Sequence, residues 1–333
     1  MTSQIVQDAK TFVNDYWQRW PGTATDLAIY FAESSVWRGP HPLNDLHGPG
    51  EIAAKLWEPL LHSFTGLRRR MDIFLGGEVE GQVWVSSAGY LVGHFDQDYL
   101  DIPASHKETF IRYGEFCQVQ DGKIIKTLCL IDFLDLMLQG GYQALPKGQG
   151  IEGYVPPPRT ADGVLAAAQS DAEGEKTFKL AYEMLFGGLN QFDKADKGSM
   201  GMIKFWHDHM HWYGPQGIGT TRTIKEFEDL HQLPWLRAFP DRKVVWEPPM
   251  FGEGNYAATA GWREVVATHT GTFLGHPATN AEIEFRVMDW WRRDGDKLIE
   301  NWVLIDMVDV FRQFGTDLFA KMREQLSKPT IEK

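Results

Sequence analysis

One ten-residue pattern occurs twice in the chain. Leu130-Ile131-Asp132-Phe133-Leu134-Asp135-Leu136-Met137-Leu138-Gln139 returns as Leu304-Ile305-Asp306-Met307-Val308-Asp309-Val310-Phe311-Arg312-Gln313, and Gly140 and Gly315 close the two copies. Each copy follows a charged turn and an apolar run. Self-similarity at long spacing constrains the architecture more than any local reading does. The chain has 333 residues, the length of about two domains. The repeat therefore means two copies of one domain in tandem. The expected division is a first domain over residues 1–145, a linker over 146–172 made semi-rigid by Pro156-Pro157-Pro158, and a second domain over 173–333.

Local periodicity gives the class of that domain. Ile5, Ala9, Phe12, Val13, Tyr16, Trp17 and Trp20 fall at helical spacing, so residues 3–20 read as an amphipathic helix closed by Pro21-Gly22. A short helix over 24–31, a strand ending in Val36-Trp37-Arg38 and a helix over 49–61 follow. After Gly66 the period becomes that of strands, over 68–75, 83–95, 107–119 and 124–131, before a final helix over 132–139. Helices followed by an antiparallel meander make an α+β domain. The second half repeats the order. Its strand 206–213 ends at Gly214-Pro215 as the first ends at Gly39-Pro40, and Arg286, Asp289 and Asp306 match Arg112, Glu115 and Asp132. Trp84 through Gly93 is aligned with Trp262 through Gly271, with every change of offset assigned to a loop.

Composition narrows the function. The formal net charge is -12 at pH 7, so nucleic acid is not an expected partner, because phosphate binding needs a basic surface. The two cysteines, Cys117 and Cys129, exclude a disulfide framework and a four-thiolate zinc site. They read as buried thiols in a reducing, cytoplasmic setting. The first residues lack the basic and apolar regions of a secretory leader, and no apolar run is long enough to span a bilayer, so no membrane partner is expected. No dinucleotide or P-loop glycine fingerprint is present. The 13 Trp and 20 Phe point to aromatic-lined cores or pockets.

Asp132 and Asp306 are the first candidates for chemistry. Each ends a strand and shares a face with apolar residues: Leu128 and Leu130 in one half, Trp302 and Leu304 in the other. Two roles stand open. In an apolar pocket such a carboxylate is pushed up in pKa and serves as a general acid or base near neutral pH. At a strand-to-helix junction it is equally an N-cap. Arg112 and Arg286 would hold an enolic or anionic oxygen from inside a cavity, or pair with a neighbouring acid from outside.

His207, His209 and His211 alternate along a strand, and three imidazoles can bind zinc. The matching first-half residues are Ala32, Ser34 and Val36, so no metal is expected. His209 and His211 then read as acid, base or donor in a cavity. His41, His47, His94 and His269 are ligand-binding candidates, each also readable as structural. Trp37, Trp212, Trp262 and Trp302 are candidates for a flat wall against an aromatic ligand, and otherwise core.

These residues resemble a known family. Helices, a strand ending at Gly-Pro, a helix, a meander and then Gly295-Asp296-Lys297-Leu298-Ile299-Glu300-Asn301-Trp302 running into Asp306 and a final helix are similar to SnoaL-like polyketide cyclases, in the nuclear transport factor 2-like superfamily. His211-Trp212-Tyr213-Gly214-Pro215, Gly217-Ile218-Gly219 and Leu236-Arg237-Ala238-Phe239-Pro240-Asp241 make the second half the clearer match. The resemblance implies a cone-shaped α+β barrel: a curved antiparallel sheet wrapped around about three helices and a deep apolar pocket. It implies aldol ring closure of a polyketide-like carbonyl compound with no cofactor and no metal. The carboxylate matching Asp306, and by repeat Asp132, is the implied acid/base. Family members are single domains that dimerise, so this chain is read as an internal pseudo-dimer, with dimerisation of the whole chain left open. Isomerase, dehydratase and epoxide hydrolase chemistry occur on the same pocket, and a non-catalytic protein binding a small apolar ligand is the rival reading.

Overall fold

The computed structural model describes residues 1–19, 22–193, 197–247 and 249–327. Trp20 and Pro21, expected to close the first helix, lie outside the described residues. The first domain runs α1 (Gln4–Arg19), α2 (Ala24–Tyr30), β1 (Phe31–Arg38), β2 (Asp45–His47), α3 (Gly48–Ile52), α4 (Glu58–Ser63), β3 (Phe64–Val79), β4 (Gln82–Phe95), β5 (Glu108–Gln120), β6 (Lys123–Ile131) and α5 (Phe133–Gln139). α1 buries Val6, Ala9, Val13, Tyr16 and Trp17, the stripe that its spacing dictates. The β5–β6 hairpin turns on Asp121 and Gly122, both at positive φ (50° and 70°), the backbone that a tight two-residue hairpin requires.

The second domain repeats the plan: α6 (Asp171–Tyr182), β7 (Trp206–Tyr213), β8 (Thr220–Thr221), α7 (Ile224–Phe227), α8 (Leu233–Ala238), β9 (Lys243–Val244), β10 (Met250–Glu253), β11 (Tyr256–Thr268), β12 (Glu282–Asp294), β13 (Lys297–Ile305) and α9 (Met307–Gln313), with α10 (Leu318–Leu326) added. The sheet orders are β2-β1-β6-β5-β4-β3 and β10-β11-β12-β13-β7-β8, with β9 also on β11. In both, the strand nearest the domain's start pairs parallel with its last strand, β1 with β6 and β7 with β13. Two tandem α+β domains are therefore present. No helix among the described residues is long and apolar enough to cross a membrane.

The structure corrects the alignment of the two halves. Gly89 faces Tyr113, and Gly261 faces Val287. Tyr90 thus matches Trp262, and Trp84 matches Tyr256. The change of offset falls inside β11, not in a loop. There the step from Gly261 to Val265 spans only the step from Val287 to Phe285, a bulge that β4 lacks.

Each sheet is apolar on both faces. The inner face packs on the domain's own helices. The outer face packs on the other domain, where Leu75, Trp84, Phe116, Leu128 and Leu130 meet Phe251, Tyr256, Trp290, Trp302 and Leu304 in one cluster. Trp290 Nε1 donates to Ser86 Oγ across this junction at 2.9 Å. Lys10 of α1 reaches Glu253 of β10 at 2.7 Å, each side chain 2% exposed, and Glu253 also accepts from Gly76 N at 2.8 Å.

The repeated motifs interlock around a pseudo-two-fold axis. Arg112 donates to the carbonyls of Gly214 (2.7 Å) and Tyr213 (3.0 Å), and Asp132 Oδ2 accepts from Gln216 N at 2.8 Å. In the mirror arrangement Arg286 donates to the Gly39 carbonyl at 3.3 Å and Asp306 Oδ2 accepts from His41 N at 2.9 Å. Glycine follows each strand for a local reason. A Cβ on Gly39 would lie 2.0 Å from the Trp37 ring, and one on Gly214 would lie 2.1 Å from the Trp212 ring. The linking segment crosses the same junction, with Ile151 bridging Thr220 and Val164 bridging Phe74.

The second oxygen of each aspartate caps a helix. Asp132 Oδ1 accepts from Asp135 N at 3.1 Å, and Asp306 Oδ1 from Asp309 N at 3.0 Å. Asp132→Ala and Asp306→Ala are each expected to cost about 0.5–2 kcal/mol for the lost cap, measured by urea unfolding. No loss in either variant would remove the capping role.

Candidate functional site

Inside the second domain lies a cavity of about 120 Å³. β7, β11, β12 and β13 form one wall, and α7, α8 and the segment after α6 form the other. Its lining is mostly Met, Leu, Val and Trp, including Met184, Met202, Trp206, Trp212 and Trp235. Into this apolar space project Asp289, Glu264, Asn301, His231, Gln232 and Arg242. A concave apolar space with a few converging polar groups is the usual form of a small-molecule site.

Strand alternation supplies the acid. Val287, Asp289 and Trp291 lie on the inner face of β12, opposite Met288 and Trp290 of the domain junction. Burial pushes the Asp289 carboxyl up to about 7, against the pull of the Asn301 amide, which donates to its Oδ1 at 2.9 Å. The bulge in β11 supplies the second acid. It brings in Glu264, whose Oε2 would lie 2.4 Å from a Cβ on Gly261. Glycine is the residue that leaves room there, and bulges are a common means of aiming a side chain at a site. Burial pushes Glu264 well above the usual carboxylate range, and the charges of Asp289 and Glu247 push it further.

A π-helical turn at Glu228–Gln232 places His231 and Gln232 on the opposite wall, a distortion often found at functional sites. His231 stacks on Trp212, with ring centroids 4.0 Å apart. Burial, and then the neighbouring Arg242 cation, push its imidazole down to about 3, so it is neutral at ordinary pH. Five polar atoms of cavity residues have no hydrogen-bond partner among the described residues: Trp206 Nε1, Trp291 Nε1, Gln232 Oε1, Glu264 Oε2 and Arg242 Nη1. Buried polar groups in native proteins are as a rule paired.

The matching space in the first domain is filled. Strand register sets Arg69 opposite Leu91, where the second domain has Val244 opposite Val265. Arg69 pairs with Glu115, the counterpart of Asp289, at 2.8 Å with both side chains at most 5% exposed. Its guanidinium lies over the rings of Tyr113 and Trp17 at 4.4 and 4.9 Å. Tyr113 stands where the second domain has Val287, and Trp57 stands where Pro59 and Pro234 align Gln232.

Residues 199–314 match the family model of SnoaL-like polyketide cyclases. That match lies within the second domain. Among solved structures, this chain is similar to AclR of Streptomyces galilaeus (22% identity, covering 47% of this chain and 94% of that chain, TM-score 0.34). It is also similar to a SnoaL-like protein of Jannaschia sp. CCS1 (13%, 45% and 99%, TM-score 0.39) and to IdmH of Streptomyces antibioticus (18%, 43% and 97%, TM-score 0.32). A comparison with curated proteins gives no match.

Of the candidate site residues named from the sequence, Trp212 lines the cavity and the others lie elsewhere. Asp132, Asp306, Arg112 and Arg286 are at the domain junction. Their strand face was read correctly, but it is the outer one. His209 is exposed and His211 half-buried, because Trp206, Met210 and Trp212 take the inner face of β7. Trp262 and Trp302 belong to the junction cluster and Trp37 to the first domain's core. His41 sits at the junction through its amide, while His47 and His94 are exposed. His269 is buried against Phe314, with centroids 3.9 Å apart. No group of three or more His, Cys, Asp or Glu among the described residues has metal-binding geometry. Asp289 was legible as the residue between Val287 and Trp291. Glu264 was not, because nothing in the sequence marks the bulge.

Proposed function

We propose that the cavity of the SnoaL-like domain is the active site of a cofactor-independent enzyme acting on a hydrophobic carbonyl compound, with Asp289 as the proton-transfer group. One observation carries this reading. Asp289 is held near 7 inside an apolar cavity, where a carboxylate is an effective base at neutral pH. The family match to this half supports cyclase or isomerase-type chemistry.

In this reading the Asp289 carboxylate removes a proton from the carbon next to a carbonyl. The C–H electron pair becomes the enolate, and Asp289 holds the proton. Glu264, whose neutral form is favoured by burial, donates its O–H to the developing oxyanion. The enolate carbon then attacks a second carbonyl to close a ring, or takes a proton at another position in an isomerisation. The acid/base role expected of Asp132 and Asp306 passes to Asp289, because both of their oxygens already serve the helix caps and the domain junction.

The test is deuterium exchange at the α-carbon of a naphthyl ketone such as 2-naphthylacetone, followed by NMR. The active form of Asp289 is ionised, so the rate is expected to rise with pH through about 7. Asp289→Asn should abolish that rise, while Asp132→Asn and Asp306→Asn, which keep a capping oxygen, leave it unchanged. A profile flat from about pH 5 to about pH 9 would remove Asp289 from the reaction.

A further inference from the structure

Charge is distributed unevenly in the cavity. Arg242, between α8 and β9, is the only Lys or Arg among the described residues that line it. A guanidinium has five N–H donors and no acceptor. Here Nη2 reaches the Met200 thioether at 3.2 Å, a weak acceptor, and Nη1 is buried without a partner among the described residues. Burial pulls Arg242 down to about 10, and no carboxylate counters that pull. Buried cations are ordinarily paired with anions. Asp289 and Glu264 do not act as its partners, since neither is held down by its charge. The cation and the two acids therefore occupy different parts of the cavity. His231 lies on the cation's side, where it feels that charge, and is neutral. The lining also includes Met184, Met202, Trp206 and Trp212.

We propose that the ligand of this cavity carries a carboxylate that pairs with Arg242, with its apolar body along the Trp and Met walls and its carbonyl end toward Asp289. The inference rests on the reading of the cavity as the active site, and it names the substrate class: a hydrophobic oxo-carboxylic acid. The planar guanidinium fork matches a carboxylate in two parallel hydrogen bonds. Burial favours the neutral form of Glu264, which lessens the negative charge that a ligand anion at this end would meet.

Two probes of one shape test it by calorimetry on the full chain: 2-naphthoate and the neutral 2-acetylnaphthalene. Charge-assisted pairing is expected to make naphthoate bind about ten-fold tighter or more. Arg242→Gln should erase that preference and leave the ketone's affinity unchanged, which also shows that the variant folds. Arg242→Lys, with charge but no fork, should keep part of it, and it decides the matter if Arg242→Gln fails to fold. Naphthoate binding no tighter than the ketone, a preference that survives in Arg242→Gln, an undiminished preference in Arg242→Lys, or no naphthoate binding would overturn the proposal. The catalytic reading fails separately. If Asp289→Asn keeps full α-exchange while the naphthoate preference depends on Arg242, the carboxylate site stands and the role of Asp289 falls. If Asp289→Asn abolishes exchange and no preference is found, only the carboxylate site falls.

Discussion

Asp289→Asn is expected to lower α-proton exchange by about 10²–10⁴-fold, the usual contribution of a positioned general base. That corresponds to about 3–5 kcal/mol of lost transition-state stabilisation. The substitution is isosteric, and Asn can still accept the hydrogen bond from Asn301 that Asp289 accepts at 2.9 Å. It also removes a carboxyl that the fold accommodates poorly when charged, since burial pushes it up to about 7. The sign of the stability effect follows. A carboxyl raised in the folded state binds its proton more tightly there than in the unfolded chain. Its contribution to stability is full at low pH and is lost as pH rises through about 7. Asp289→Asn should thus reduce turnover without reducing stability at neutral pH, and urea unfolding beside the exchange assay separates the two. Retained exchange with retained ligand affinity would leave the cavity as a binding site alone.

Lys10→Met is expected to cost about 3–5 kcal/mol of stability, the cost of stranding one member of a buried ion pair. Lys10 Nζ lies 2.7 and 2.9 Å from the two oxygens of Glu253, with both side chains 2% exposed. Without it Glu253 keeps the Gly76 amide and the Thr2 hydroxyl, each at 2.8 Å, but no cation. The pair joins α1 of one domain to β10 of the other, so its loss should loosen the two domains from each other. Replacing both members, Lys10→Met with Glu253→Met, is expected to recover most of the stability, because a buried pair of charges contributes little over an apolar pair. Recovery is incomplete to the extent that the Gly76 N–H loses its acceptor. Urea unfolding of the single and double variants measures both steps, and a loss in the double variant equal to the sum of the two single losses would show that the two charges do not interact.

The internal repeat led to the domain junction and away from the cavity. Residues repeated in both halves, Arg112 with Arg286 and Asp132 with Asp306, serve what both halves have in common, which is packing against each other. Chemistry lies where the halves differ. Val244 replaces Arg69, Asp289 replaces Glu115, and Gln232 replaces Trp57, so one domain is open and the other is filled by the Arg69–Glu115 pair. Comparing the copies for their differences would have drawn attention to position 289 from the sequence alone.

Two copies of an α+β domain, the order of helices before an antiparallel meander and the alternating faces of each strand were determined by the sequence. These depend on interactions between residues close along the chain, on backbone φ at turns, and on periods of 3.6 and 2. Tertiary structure alone decided which face of each sheet is the inside. Period two separates residues into two sets but does not say which set meets the helices, and here both sets are apolar because each sheet is covered on both sides. That single ambiguity moved Asp132 and Asp306 to the junction and Asp289 to the cavity. The bulge that aims Glu264 inward is likewise a tertiary outcome, since its register is set by β12 and the unbulged β4 gives no warning of it.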